Sequence, residues 1–383
     1  GDVYKRQILP SLEVGGLQRV QITIANQLVI HGYDVTVMIL DPIDDLKLEL
    51  DSRINLIHKP YKDHIGDKIP YIRHKFYDSG MWETRASADK LHQYYIGNEK
   101  YDVEIAFFRG LALKIVSGCR DKDVKHLAWV HSDFRKTKSY MNNFKSLVDV
   151  KKAYGKLDAV VCVSKEAQQG FVNSIGDTDN LKTIYNILPI DEIKHKAKEK
   201  PRVKIKKAAL NLVLVGRLLD SVKGQKRLIG VVSKLHREGI DLSLTIVGGG
   251  PDENLLRQEI EIRDASNYIV MCGNEINPYP YIEQADMLIC ASYYEGYNLT
   301  VAEALILDTP VLSTDCTGPN EILDYGKYGM IVENSEEGLY KGIKKFTDNP
   351  KLLLEYKEKA IARKKFFDEK KILDEIMKLF ARK

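Results

Sequence analysis

The chain has 383 residues, 58 Lys and Arg against 54 Asp and Glu for a net charge of +4, and 44% hydrophobic and 29% charged residues. That length exceeds one ordinary core and suits two domains, each with its own apolar interior. The mild charge argues against dedicated nucleic-acid binding, which concentrates basic residues in a stripe with interleaved aromatics, although contact with an anionic surface stays open. No run of about 18 consecutive apolar residues is present to span a bilayer.

Gly1 to Gln7 lacks the apolar stretch of a secretory signal, so a cytoplasmic protein is expected. Only Ile8 and Leu9 precede Pro10, which makes the first strand poor and suggests that the extreme N-terminus is not native sequence. The five cysteines, Cys119, Cys162, Cys272, Cys290 and Cys316, are scattered without a C-x-x-C pair. They read as buried thiols of a reducing compartment rather than disulfides or zinc ligands.

Short apolar runs alternate with longer amphipathic stretches, the pattern of parallel sheets covered by helices. The helix Leu17 to Ile30 shows one apolar face in Leu17, Val20, Ile24 and Leu28. Strands are expected at Tyr33 to Leu40, Ile54 to Ile57, Asp102 to Phe108, His126 to Val130, Asp158 to Val163 and Lys182 to Tyr185. Between Lys59 and Arg85, Lys62, Lys68, Arg73 and Lys75 mix with Tyr71, Phe76, Tyr77 and Trp82. That composition suits an interface with anionic lipid and a lipid-linked acceptor, and equally a loop and helix in solution.

The segment 189–207 breaks the rhythm with Lys194, Lys196, Lys198, Lys200, Arg202, Lys204, Lys206 and Lys207. It is taken as a basic interdomain linker or solvated helix face, dividing a first domain over 1–188 from a second over 208–366. The same rhythm then restarts. Strands are expected at Ala209 to Val215, Leu242 to Val247, Tyr268 to Cys272, Met287 to Ala291 and Val311 to Thr314. Helices are expected at Gln225 to Glu238, Asp252 to Ala265 and Leu299 to Leu307, with three more after Ser335. The last, within 367–383, is long enough to leave the second domain and pack on the first.

The chemistry concentrates between Ser292 and Glu303, where a buried strand runs through Glu295-Gly296-Tyr297-Asn298 into a helix starting at Leu299 and Thr300. Asn298 is a natural N-cap, Gly296 permits close approach of a ligand, and the helix N-terminus offers N–H groups and a positive dipole end to a diphosphate. Glu295 can accept from sugar hydroxyls and Glu303 from ribose hydroxyls.

With the following Pro310 and the turn Gly318-Pro319-Asn320-Glu321, this unit resembles the family-four retaining glycosyltransferases of the GT-B fold. The resemblance implies two Rossmann-like doubly wound lobes facing across a cleft, the second binding a nucleotide sugar. It also assigns roles. Val215-Gly216-Arg217 through Lys223-Gly224 looks like the family's segment in which Arg and Lys hold the donor diphosphate. Gly15-Gly16 resembles its glycine-rich loop, although alone it is equally a tight turn. His131, in Trp129-Val130-His131-Ser132-Asp133, matches the histidine beside the transferred sugar, and Gly273 falls among the donor-binding positions. Val163-Ser164-Lys165 and Tyr185-Asn186 match cleft-lining or lobe-closing positions. Asp308 stands where the family often has glycine, and aspartate tolerates the left-handed turn that this requires.

Two other signals are discounted. Gly248-Gly249-Gly250 invites a dinucleotide reading, but the third glycine of that fingerprint would fall at Glu253, and Asp252 and Glu253 put negative charge in the first helical turn. Asp177-Thr178-Asp179 spells a metal-binding D-x-D but sits in a polar loop.

The expected activity is transfer of a hexose from a nucleotide-diphosphate sugar, UDP-linked, to a hydroxyl of a glycan or lipid-linked saccharide in cell-envelope polysaccharide synthesis. The resemblance implies retention of configuration, no metal and no other cofactor, with His131, Arg217, Lys223 and Glu295 as the catalytic set. A nucleotide-sugar epimerase of the same fold, or a silent nucleotide-sugar-binding partner subunit, are the rival readings.

Overall fold

The computed structural model describes residues 4–9, 12–40, 43–59 and 81–380. The chain divides into two compact units, one of residues 1–13, 17–187 and 370–383 and one of residues 14–16 and 188–369.

The first unit holds a seven-stranded parallel sheet. Its strands are β1 (Tyr4–Leu9), β2 (Asp34–Ile39), β3 (Asn55–His58), β4 (Val103–Ala106), β5 (Lys125–Val130), β6 (Ala159–Cys162) and β7 (Leu181–Thr183), in the order β3-β2-β1-β4-β5-β6-β7. The second unit holds β8 (Leu210–Val215), β9 (Leu242–Val247), β10 (Ile269–Gly273), β11 (Met287–Cys290), β12 (Val311–Thr314) and β13 (Met330–Val332), in the order β10-β9-β8-β11-β12-β13. Both sheets reverse direction once, between β1 and β4 and between β8 and β11. In doubly wound sheets ligands bind beyond the carboxyl ends of the strands at such a reversal.

The strands are apolar runs because both faces are covered. β4, β6, β9, β11 and β12 are buried throughout. In the first unit Tyr154 and Phe171 meet edge to face at 4.9 Å and are essentially fully buried. In the second, Leu228, Leu235, Leu244, Leu339 and Phe346 share one core. Each such side chain contributes on the order of 1.5–3 kcal/mol when removed from water.

Three features differ from the reading of the sequence. β1 is a full strand paired on both sides, with Lys5 in register with Val35 and Val103, despite its polar residues. β13 was not anticipated, because three half-buried residues carry too little pattern. The segment 189–207 is no bare connector. Ile190–Ala197 is a helix of the second unit that buries Ile193 and Ala197, four residues apart, and leaves its lysines outside. Lys198 pairs with Glu283, and Arg202 with Glu275 at 2.9 Å, so the charges are tied to that unit's surface. The contacts also group residues 14–16 with the second unit and the helix over 370–380 with the first. The basic and aromatic segment proposed for a membrane interface lies outside the described residues over 60–80, including Lys62, Lys68, Tyr71, Arg73, Lys75, Phe76 and Tyr77.

Among the described residues no helix is long and apolar enough to cross a membrane.

Candidate active site

The carboxyl ends of β8 and β11 carry the residues expected at the donor site. β8 runs into Gly216 and Arg217, then into the one-turn helix Asp220–Lys223. That turn is held from below. Gln225 Nε2, fully buried, donates to Arg217 O at 2.8 Å, and Asp252 Oδ2 accepts from Asp220 N at 2.7 Å. Arg217 itself is exposed.

The three glycines at 248–250 explain the close fit of this corner. A Cβ built on Gly248 would stand 2.0 Å from Gly216 O, and one on Gly250 2.4 Å from Leu218 O. Both also have positive φ, 144° and 159°. They are needed for backbone against backbone, and Gly273, φ 76°, accepts from Gly248 N at 2.9 Å in the same corner. This supplies the positive reason for setting the dinucleotide reading aside. Asp252, counted as a charge repelling phosphate, serves as a cap for the neighbouring turn.

At the end of β11 the chain reverses through Ser292 to Asn298. Asn298 adopts φ 48°, and its Oδ1 accepts from Val301 N at 3.2 Å and Thr300 Oγ1 at 2.7 Å, capping the helix Leu299–Ile306. Its Nδ2 turns back to Glu295 Oε1 at 3.1 Å. That same oxygen accepts from Ser292 Oγ and from Lys223 Nζ, each at 2.6 Å. Burial pulls the Lys223 ammonium down, but the adjacent Glu295 carboxylate outweighs it and raises the pKa, so Lys223 is a fixed cation. Lys223 and Glu295 are thus one ion pair joining the ends of β8 and β11.

Glu303 is buried at 4% exposure, within 3.4 Å of Tyr279 Oη. Tyr297 is buried, and Gly318 packs on it so closely that a Cβ there would lie 2.8 Å from Tyr297 Cα. Thr317 Oγ1 donates to Glu295 O at 2.6 Å, so the start of the short helix Thr317–Ile322, formed where a turn was expected, braces the glutamate turn. Asp308 takes φ 61°, the left-handed conformation expected of it.

Residues that sequence reasoning passed over complete the support. Arg227, 5% exposed, donates through Nε to Ala291 O at 2.9 Å and stacks its guanidinium 3.8 Å from the Tyr293 ring centroid. Thr314 Oγ1 donates to Ser292 O at 2.6 Å, and Asn334 Nδ2 to Tyr293 O at 3.0 Å and Asp315 O at 3.0 Å. These groups lie up to 107 residues from their partners, and nothing in the local pattern marks them.

His131 belongs to the first unit, directly after β5. Its ring centroid is 4.8 Å from that of Phe107, and Nε2 is shielded without a hydrogen-bond partner. Burial, together with the Arg109 charge, lowers its pKa to about 3, so the ring is neutral near pH 7. Arg109, also overlooked, follows β4 and reaches Ser132 Oγ at 3.3 Å. Asp133 has a structural task, binding Arg135 at 2.7 Å beneath Glu166. Ser164 caps the helix Lys165–Ser174 by accepting from Ala167 N at 3.0 Å. Asn186 is buried with Oδ1 unpartnered. Gly15 and Gly16 lie at the start of the helix Gly16–Ile30.

Comparison with known proteins shows the family and the fold. Residues 195–363 match the model of glycosyl transferases group 1, and residues 14–192 match that of glycosyltransferase family 4. The chain belongs to the family-four, group 1 glycosyltransferases. It is 30% identical over 243 residues to the N-acetylgalactosamine-N,N'-diacetylbacillosaminyl-diphospho-undecaprenol 4-alpha-N-acetylgalactosaminyltransferase of Campylobacter jejuni, across 62% of this chain and 64% of that protein. It is 26% identical to an uncharacterized glycosyltransferase of Haemophilus influenzae across 94% of this chain and 95% of that one. Among solved structures, Anabaena HepE in complex with UDP and glucose superposes with a TM-score of 0.73 at 16% identity, over 98% of each chain. At that identity the likeness shows the fold, GT-B with two Rossmann-like units. Within this glycosyltransferase, Lys223 and Glu295 meet at the β8/β11 reversal of the second unit, Arg217 follows β8, Glu303 lies on the helix after β11, and His131 stands at a strand end of the first.

Proposed function

We propose that this glycosyltransferase moves a hexose from a UDP-sugar to a hydroxyl of a glycan or lipid-linked saccharide of the cell envelope, with retention of configuration and without a metal. The observation that carries the reading is the Lys223–Glu295 pair, a 2.6 Å bridge between two strand ends at the sheet reversal. The relative from Campylobacter jejuni is named for an acceptor built on diphospho-undecaprenol, and HepE was solved with UDP, which supports both halves of the proposal.

In the reaction the bond from the anomeric carbon to the diphosphate oxygen breaks, and negative charge grows on the departing nucleoside diphosphate. Lys223 is held in place before substrate arrives, and Arg217 projects from the adjacent turn. Lys223 can stabilise that charge without reorganising, the condition under which electrostatic catalysis is effective, and Arg217 supplies a second cation. Glu295 Oε1 is already shared by three donors, and its second oxygen is the one to accept from a sugar hydroxyl. Glu303 takes the ribose hydroxyls. His131, neutral, is assigned a hydrogen bond to the sugar by family resemblance. No carboxylate is needed as a nucleophile in this scheme.

Lys223→Ala and Glu295→Ala are the test, with UDP-sugar hydrolysis and transfer both measured and the product anomer read by NMR. Wild-type rates in both variants refute the site. An inverted product refutes retention, and conversion of donor alone to an epimer favours the epimerase reading.

A further inference from the structure

Among the described residues, one group of metal-type ligands converges outside the donor site. His92 lies on the helix Ala88–Tyr95, Glu104 on β4, and Cys119 just beyond the helix Leu111–Val116. One ligand atom from each, the imidazole nitrogen, a carboxylate oxygen and Sγ, lies within 4.8 Å of the other two. His92 Nε2 is 3.0 Å from Glu104 Oε2 and 3.2 Å from Oε1. Glu104 is 2% exposed, a buried carboxylate whose partner among these groups is that histidine. His126 is in register with Glu104 on the neighbouring strand β5, so the two side chains share a face of the sheet. It is 8% exposed, and its Nε2 is buried without a hydrogen-bond partner.

We infer that His92, Glu104 and Cys119 form a binding site for a zinc-type divalent cation, with His126 beside Glu104 on the neighbouring strand. Sulfur and imidazole ligands select borderline-soft cations such as zinc over magnesium or calcium. Tetrahedral zinc with bonds near 2.0–2.3 Å places its ligands about 3.5 Å apart, so side-chain rotation of about 1 Å closes the group.

The electrostatics agree with the geometry. Burial raises the Cys119 thiol, but interactions with His126 and His92 outweigh it and bring the group down to about 6. Burial lowers His92, and Cys119 and Glu104 outweigh that, raising it to about 9. Thiolate is the form of cysteine that binds metal, so cation binding would release a proton from the group. Cys162, Cys272, Cys290 and Cys316 are buried thiols as the sequence suggested, whereas Cys119 is partly exposed.

The site sits at the amino ends of β4 and β5. His131 is at the opposite end of β5, five residues or roughly 16 Å from His126 along an extended strand. The role of the cation site is therefore structural. The cation would fasten the helix Ala88–Tyr95 and the Cys119 turn to the sheet, stabilising the first unit without entering glycosyl transfer.

Cobalt is a suitable probe, because it reports tetrahedral coordination and thiolate ligation by absorbance. Titration of the chelator-treated full-length chain with Co²⁺ is expected to saturate at one equivalent with a thiolate-to-cobalt charge-transfer band. Cys119→Ser is expected to abolish that band and His92→Ala to weaken binding at least tenfold. Zn²⁺ is expected to raise the melting temperature of the wild type and not of Cys119→Ser. Circular dichroism and UDP-induced stabilisation of the metal-free Cys119→Ser chain establish that it remains folded. Absence of the band in the wild type, its persistence in Cys119→Ser, or equal stabilisation of both chains by Zn²⁺ would overturn the site.

Discussion

Replacing Lys223 by alanine separates the two tasks of the Lys223–Glu295 pair. The Nζ to Oε1 distance is 2.6 Å and the two side chains are 24% and 10% exposed, so solvent screens the pair only in part. Breaking a fully buried pair costs about 3–5 kcal/mol because the remaining charge is stranded. Here Glu295 keeps two neutral donors, Ser292 and Asn298. The expected loss of stability is therefore about 1–2 kcal/mol, or a fall of about 2–8 °C in melting temperature for a unit of this size. On ligand binding, removal of a charge-assisted hydrogen bond to phosphate, about 1.5–3 kcal/mol, weakens UDP by about 10- to 100-fold. Glu295→Gln behaves oppositely. It leaves the lysine in place and removes its neutraliser, so UDP binding is retained or strengthened while sugar transfer falls. Calorimetric titration of UDP into both variants, beside their transfer rates, reads this crossover. UDP affinity within twofold of wild type in Lys223→Ala, or equal losses of UDP affinity in the two variants, would refute the division of labour.

Glu303→Gln is expected to weaken UDP by about tenfold, the loss of one charged hydrogen bond, while leaving inhibition by pyrophosphate unchanged; inhibition constants for the two ligands test it. Gly224 has φ 63°, and a Cβ there would lie 2.3 Å from Ala291 O, so Gly224→Ala should destabilise the second unit by about 2–5 kcal/mol in urea unfolding. His131 has a folded pKa near 3 against about 6.5 unfolded. As pH falls below 6.5 the unfolded chain gains a proton that the folded chain refuses. Its contribution is complete above 6.5 and is lost progressively toward 3. His131→Phe should therefore lose less melting temperature between pH 7 and pH 4 than the wild type, and identical slopes would refute the assignment.

Much of the architecture was readable because doubly wound sheets write themselves as apolar runs. β9 and β12 fell at the expected residues, and most other strands within one or two of theirs. The exceptions have physical causes. β1 is polar at Lys5, Arg6 and Gln7 yet paired on both edges, so backbone hydrogen bonds rather than side-chain pattern define it. The helix Ile190–Ala197 hid behind its charges because only two residues, Ile193 and Ala197, needed to be apolar.

The sequence by itself determined the strand-turn-helix around Glu295 and Glu303 and the segment from Gly216 to Gly224. Each is a local device, in which caps, turns and apolar periodicity act over a few residues. Tertiary structure alone decided which of these groups meet. It placed Lys223 on Glu295 across 72 positions of chain, put Arg227 against Ala291 across 64, and gathered His92, Glu104 and Cys119 from a helix, a strand and a loop. Such meetings depend on strand order and register, which pair residues far apart in the chain and leave no mark in the spacing of the residues that they bring together.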